Sequence, residues 1–231
     1  MKKKIALVTG GAGFIGSHMV DLLLKKGFKV RVIDNFVGGH KINISHNFRN
    51  PNFLLKNIDI RKLKKDNNIF KNVDYVFHFA GIGDIVPSIN KPDFYIETNL
   101  QGTVNILEAS RYHKIKRFVY AASASCYGKT VKSTSEKNKI NIEHPYALSK
   151  YLGELAVFHW NKVFKLKVNS IRIFNAYGPR VRTTGSYGAV IGVFFKQKLS
   201  NYPLTIVGNG KQTRDFVHVH DVAKAFLAVA K

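Results

Sequence analysis

Short apolar runs alternate along this chain with longer stretches in which apolar positions recur every three to four residues. The short runs KIALVT (4–9), KVRVID (29–34), NFLLKNI (52–58), DYVFHFA (74–80), RFVYAAS (117–123) and VNSIRIF (168–174) read as strands. The intervening stretches at about 14–26, 93–113 and 145–164 read as helices. Most of the strand runs are nearly continuous in apolar residues, as parallel strands covered on both faces are. Alternation of such strands with helices predicts an α/β fold, a doubly wound parallel sheet. Beyond Phe174 the texture changes to Gly, Pro, Thr and Tyr with shorter apolar pieces. The predicted division is therefore a sheet domain over 1–174 and a smaller region, 175–231, over the sheet's carboxyl edge, where ligands bind. The polar segment 129–143 reads as an exposed loop, and there is no internal repeat.

Composition changes this picture little. The 231 residues are 45% hydrophobic, enough for a sizeable core, and no segment approaches the unbroken apolar run of a membrane span. Lys2, Lys3 and Lys4 before an apolar run resemble the start of a signal peptide, but Thr9–Gly13 interrupts that run after Val8 and a first strand fits better. Cys126 is the sole cysteine, so no disulfide forms within one chain and a cytoplasmic location is expected. It reads as a small packed residue rather than a nucleophile. The formal net charge of +23 would attract nucleic acid, an anionic membrane surface or anionic substrates. Lysine far outnumbers arginine, however, and is scattered among Asn and Ile without zinc-finger spacing or an aromatic RNA-binding signature. Neither a nucleic acid nor a metal is an expected partner.

Candidate chemistry begins at TGGAGFIG, residues 9–16, which follows the first strand and opens a helix. Gly10, Gly13 and Gly16 suit a tight turn, close approach of backbone to a pyrophosphate, and close helix packing, and the helix amino end favours negative charge. Asp34 ends the second strand, 24 residues beyond Gly10 (34 − 10), where a carboxylate accepts from adenosine ribose hydroxyls and repels a 2′-phosphate. The expected cofactor is NAD, and the sheet is of the Rossmann type.

This glycine spacing, with YALSK at 146–150, resembles the extended short-chain dehydrogenase/reductase family, in particular its NAD-dependent, UDP-glucose 4-epimerase-like nucleotide-sugar epimerases and dehydratases. Further matching stretches are NIDIR with Asp59, HFAG (78–81), TNLQGT (98–103), AASASCYG (121–128), RIFNAYGP (172–179) and RDFVHVHDVAKAF (214–226). The resemblance implies that Phe14 and Ile15 join the glycines at the cofactor and that Asn35 stands beside Asp34. It also implies that Asp59 and Ile60 border the adenine, that Phe79, Ala80 and Gly81 line the cofactor's middle, and that Asn99 supports the sheet edge. A homodimer through helices near 93–113 and 145–164 is implied as well.

At the chemical end, Pro145 suits a first helical position and places Tyr146 and Lys150 one turn apart on one helix face. A tyrosine with an ordinary pKa of about 10 is a poor base. Lys150, the positive charge of an oxidised nicotinamide and the helix amino end are expected to lower the Tyr146 pKa, making it the acceptor of a sugar hydroxyl proton. Ser123, at the end of the fifth strand, matches the family's Ser or Thr that hydrogen-bonds the reacting oxygen. Relatives that eliminate water carry an Asp-Glu pair immediately after this position, and decarboxylating relatives usually carry a Glu in place of Ser125. Here the residues are Ala124 and Ser125, which provide no general acid or base.

By the same resemblance Asn175 and Arg214 meet the nucleotide's diphosphate, which needs donors and positive charge. Pro87 and Ser88, with Ala189 and Val190 in GSYGAVIG (185–192), form the walls around the nucleotide sugar. Gly83 stands where one common galactose-epimerising form has Lys, which leaves the sugar open. The chain stops at Lys231, inside the helix after RDFVHVHDV, where relatives continue, so part of the sugar lid is expected to be missing. The function expected is NAD-dependent C4 epimerisation of a UDP-hexose. The alternatives are a non-catalytic NAD-binding sensor, a truncated relative, or a dehydratase or decarboxylase of the same family.

Overall fold

The computed structural model describes residues 3–130, 133–183, 190–206 and 208–231. Six strands, β1 (Ile5–Thr9), β2 (Lys29–Asp34), β3 (Phe53–Asn57), β4 (Tyr75–His78), β5 (Arg117–Ser123) and β6 (Val168–Ile173), form one sheet in the order β3-β2-β1-β4-β5-β6. All of its pairings are parallel. The strands that the apolar runs predict are all present, with ends within two residues, the usual play at element boundaries. The order reverses between β1 and β4, which opens a crevice at their carboxyl ends.

Alternation along the strands builds two cores. Ala6 and Val8 of β1 face one side with Phe77 and Val119, and α1 (Phe14–Lys25) covers them with Met19, Val20 and Leu23. The last helix, α7 (Val219–Val229), joins this core through Val222, Ala223, Phe226 and Leu227. The carboxyl-terminal segment thus shares the core of the sheet. Leu7, Val76, Phe118 and Tyr120 face the other side, against Ile106 and Leu107 of α4 (Gly102–Tyr112) and Val157 of α5 (Pro145–Phe164). Burying each large apolar side chain contributes about 1.5–3 kcal/mol. Among the described residues no helix is long and apolar enough to cross a membrane.

The stretch expected to be one helix over 93–113 is three pieces. α3 (Pro92–Ile96) runs into a π-helical turn, Glu97–Gln101, which passes into α4. Such turns hold an extra residue and are frequent at functional sites. This one carries Asn99, and Thr103 Oγ1 donates to the Asn99 carbonyl at 2.6 Å. Before α3 a short helix, α2 (Ile85–Asn90), follows β4.

Beyond Phe174, β7 (Asn175–Tyr177) and β8 (Phe216–His218) pair in parallel, with α6 (Val190–Leu199) between them in sequence. α7 reaches Val229, and the backbone of Ala230 after it is still helical. Residues 184–189, Ala189 among them, lie outside the described residues.

Candidate active site

The glycine loop is held against β4 by contact. Gly10 has φ 67°, and a Cβ there would fall 2.7 Å from the Ala80 nitrogen. A side chain at Gly16 would run into the Gly10 carbonyl. Gly13 is the N-cap of α1 and offers no side-chain cap, so amides of the first turn are open to an anion. Phe14 and Ile15, in that turn, are partly exposed.

Asp34 is buried at the end of β2, where Oδ2 accepts from the Ala12 amide at 2.9 Å and Oδ1 from the Phe36 amide at 2.8 Å. Burial pushes its pKa up, and the two backbone hydrogen bonds oppose that. Asn35 beside it accepts from the Val37 amide through Oδ1 at 3.2 Å. The carboxylate is locked to the glycine loop and retains lone pairs for ribose hydroxyls.

Other predicted cofactor residues are placed less simply. Asp59 caps the turn Ile60–Lys62 by accepting from the Arg61 amide and pairs with the Arg61 guanidinium at 2.6 Å. The Ile60 side chain lies in the second core, where a Cβ at Gly102 would strike it at 2.6 Å, so only its backbone can border a ligand. The Phe79 ring packs on Phe226 of α7, centroids 4.5 Å apart, because α7 covers that side of the sheet. Ala80 donates its amide to Thr9 Oγ1 at 3.1 Å, and a Cβ at the exposed Gly81 would lie 3.7 Å from Lys150 Nζ.

Ser123, Tyr146 and Lys150 converge at the carboxyl end of β5. Tyr146 OH donates to Ser123 Oγ at 3.4 Å, and the Ser125 amide donates to the same oxygen at 3.2 Å. Lys150 is buried with its ammonium 4.4 Å from the centre of the Tyr120 ring and no hydrogen bond to a described residue. Burial lowers its pKa to about 7, against the pull of Glu154 one turn along α5. Burial likewise pushes the Tyr146 phenol up, against the hydrogen bond with Ser123. The expected lowering of Tyr146 is therefore not achieved by the protein groups alone, because desolvation outweighs a lysine that is itself easily deprotonated. An open amino end of α1 after β1, a buried carboxylate at the end of β2 and a buried lysine near Gly81 after β4 fit a dinucleotide along the β1–β4 crevice.

Three residues fix this geometry, and of them His144 carried no assigned role in the sequence. His144 caps α5, its Nδ1 accepting from the Ala147 amide at 3.2 Å, and its ring stacks on Tyr146 at 5.9 Å. Its place before Pro145 is a cap signal. Asn99 reaches both loops, accepting from the Ile82 amide at 2.7 Å and donating to Ser149 Oγ at 2.9 Å. Ser88, expected on the sugar wall, is wholly buried. Its hydroxyl donates to the Ile85 carbonyl at 2.6 Å and accepts from the Tyr146 amide at 3.1 Å, so it serves the tyrosine rather than a substrate.

The remaining wall residues are spread out. Pro87 is exposed on α2, and Val190 is exposed at the start of α6. Asn175 donates Nδ2 to the Asp215 carbonyl at 2.9 Å, which leaves its oxygen open. Arg214 is exposed and, among the described residues, bonds the neighbouring Thr213 carbonyl at 2.7 Å.

Comparison with known proteins finds a matching family and similar solved structures. The NAD dependent epimerase/dehydratase family matches residues 6–231. A putative UDP-glucose 4-epimerase of Methanocaldococcus jannaschii is 41% identical over 224 residues, covering 96% of this chain and 72% of that protein. UDP-glucuronic acid decarboxylase 4 of Arabidopsis thaliana is 34% identical over 98% of this chain, which spans 51% of the plant protein. Among solved structures, UDP-N-acetylglucosamine 4-epimerase from Methanobrevibacter ruminantium M1, in complex with UDP-N-acetylmuramic acid, superposes with a TM-score of 0.94. It is 33% identical, with 100% of this chain and 74% of that chain covered.

Proposed function

The chain belongs to the NAD dependent epimerase/dehydratase family, and from that premise we propose that it is a nucleotide-sugar 4-epimerase acting on UDP-hexoses. One observation carries the reading. The Tyr146 and Ser123 hydroxyls are hydrogen-bonded and Lys150 is buried one turn further along α5, while the residues after Ser123 are Ala124 and Ser125, with no carboxylate for elimination or decarboxylation.

NAD, when bound, supplies an acceptor and then a donor of hydride at the sugar's C4. Gly10, Gly13 and Gly16 with the α1 amino end would hold its pyrophosphate, and Asp34 its adenosine ribose. Tyr146 takes the proton of the C4 hydroxyl, and Ser123 holds the same oxygen. Burial raises the phenol and the Ser123 hydrogen bond opposes that, and the positive charge of a bound oxidised nicotinamide would favour its anion further. Loss of one hydride and one proton leaves a 4-ketone. Return of the hydride to the opposite face of C4, with the proton given back by Tyr146 to the ketone oxygen, would give the C4 epimer with no net redox change. Arg214 and the open oxygen of Asn175 are assigned to the nucleotide side of the substrate.

The test is product analysis after incubation of the protein with UDP-glucose, UDP-galactose or their N-acetylated forms, without added cofactor. The C4 epimer is expected. Tyr146→Phe should reduce turnover at least ~100-fold, the usual scale of lost acid–base help, while NAD binding survives. A 4-keto-6-deoxy sugar, or a pentose formed from UDP-glucuronate, would replace this reading by dehydration or decarboxylation.

A further inference from the structure

The segment between β4 and α2 is clamped at three residues. Asn99 binds both the amide and the carbonyl of Ile82, at 2.7 and 3.0 Å. Tyr95 OH donates to the Gly83 carbonyl at 3.0 Å, and Ser88 Oγ to the Ile85 carbonyl at 2.6 Å. Asp84 is the one residue between these clamps, and its backbone is forced to φ 98°, which L residues rarely adopt. Such strain persists only where the surroundings impose it, and it collects at functional sites.

The strained backbone presents a carboxylate of unusual status. Its side chain is only 20% exposed, yet it accepts no hydrogen bond from a described residue. Shielded carboxylates ordinarily have such donors. Among the described residues its one ion-pair partner is the Arg182 guanidinium, with Nη1 3.6 Å from Oδ2, too long for a hydrogen bond. Arg182 arrives on the turn after β7, and a Cβ at Gly192 of α6 would come within 2.9 Å of its carbonyl, so α6 backs this turn.

Asp84 also stands beside the reacting tyrosine. The Tyr95 ring, tied to Gly83, meets the Tyr146 ring edge-on with centroids 6.4 Å apart. Burial foremost, and the Asp84 charge with it, push both phenols up. A group that works against the base needs another use in the site. A UDP-hexose and a UDP-hexuronate differ at C6 as hydroxymethyl and carboxylate, a difference that a loosely paired carboxylate and guanidinium at the sugar site would read.

We propose that the Asp84–Arg182 pair selects the sugar by charge, Asp84 accepting hydroxyl hydrogens from a neutral hexose and, while it engages Arg182, turning a hexuronate away. This rests on the nucleotide-sugar reading above and adds the class of sugar to it. With Asp84 neutralised, Arg182 is left unpaired and becomes a receptor for the C6 carboxylate.

The experiment is calorimetric titration of the NAD-loaded protein with UDP-glucose, UDP-glucuronate and UDP alone, for the wild type, Asp84→Asn and Arg182→Ala. The wild type should bind UDP-glucose at least tenfold more tightly than UDP-glucuronate. Asp84→Asn should reduce or invert that ratio by roughly tenfold, the scale of one charge contact of about 1.4 kcal/mol, and leave UDP unchanged. Arg182→Ala should weaken UDP-glucuronate further. Asn tolerates positive φ better than Asp's replacement by most residues would, so folding is preserved, and unchanged NAD and UDP affinities verify it. A wild type that prefers the uronate, or a ratio that Asp84→Asn does not move, overturns the proposal. Binding with the expected ratio but no C4 epimer overturns the epimerase reading alone, and failure to bind any of the three overturns both.

Discussion

The Tyr146 amide is hydrogen-bonded to the Ser88 hydroxyl at 3.1 Å, across 58 positions of sequence. An amide at the start of α5 would otherwise lack a partner. The bond sets the depth at which the helix presents its tyrosine to Ser123, and Ser88 is itself anchored to Ile85. Ser88→Ala should cost about 1 kcal/mol, the scale of a lost cap, and lower kcat without altering NAD affinity. Steady-state kinetics alongside a melting curve check it, and an unchanged kcat would leave Ser88 with a purely structural role.

We assign the choice of cofactor to Asp34. Nucleotide released by denaturing the purified protein should be NAD(H), and Asp34→Ala should weaken discrimination against NADP by removing the charge that repels a 2′-phosphate. Recovery of mainly NADP(H) would contradict the assignment.

Lys150 makes stability depend on pH in a definite direction. Its pKa in the folded protein is about 7, below that of a free lysine, so the unfolded chain holds the extra proton between about 7 and the ordinary value of about 10.4. The penalty for burying Lys150 is therefore full below pH 7 and fades as pH rises through that window. In NAD-free protein, Lys150→Met should melt above the wild type at pH 6, with the gap closing toward pH 10. A gap that is constant with pH would mean that the ammonium is not desolvated.

One face of α5 carries Leu148, Leu155 and Phe158 exposed at 39%, 47% and 47%, a continuous apolar surface that a second copy would cover. Light scattering at micromolar concentration should give the mass of a dimer. Leu155→Glu with Phe158→Glu should give a monomer that still binds NAD. A monomeric wild type would show that the face serves something else.

The sheet was legible because its information is local. Buried parallel strands are continuous apolar runs, and the six of them stand in the chain where those runs stand. The positions of Gly10, Asp34, Tyr146 and Lys150 are also local, each fixed by spacing from a strand end or helix start. What the sequence did not disclose depends on distant partners. Nothing around Ser88 announces that its hydroxyl serves Tyr146. Nothing in GIGDIVPS announces the left-handed backbone of Asp84, which results from clamps supplied by Asn99, Tyr95 and Ser88. The lowered pKa of Lys150 follows from burial under elements far from it in the chain. Glu154, four residues on, was open to reading as its helical neighbour.

The π turn at Glu97–Gln101 has the effect of a phase shifter in a single rod. Each residue of an ordinary helix advances the side chains by roughly 100°, and the wider turn resets that count between α3 and α4. Ahead of it, Tyr95 is directed toward Tyr146; behind it, Ile106 and Leu107 are directed into the core. Deleting one residue within the turn would let the rod relax to uniform pitch, and one of those two faces would then be misdirected. The helix that braces the sheet and the helix that serves the chemistry are thus a single element with two independent aims, and the sequence can tune either one without rotating the other.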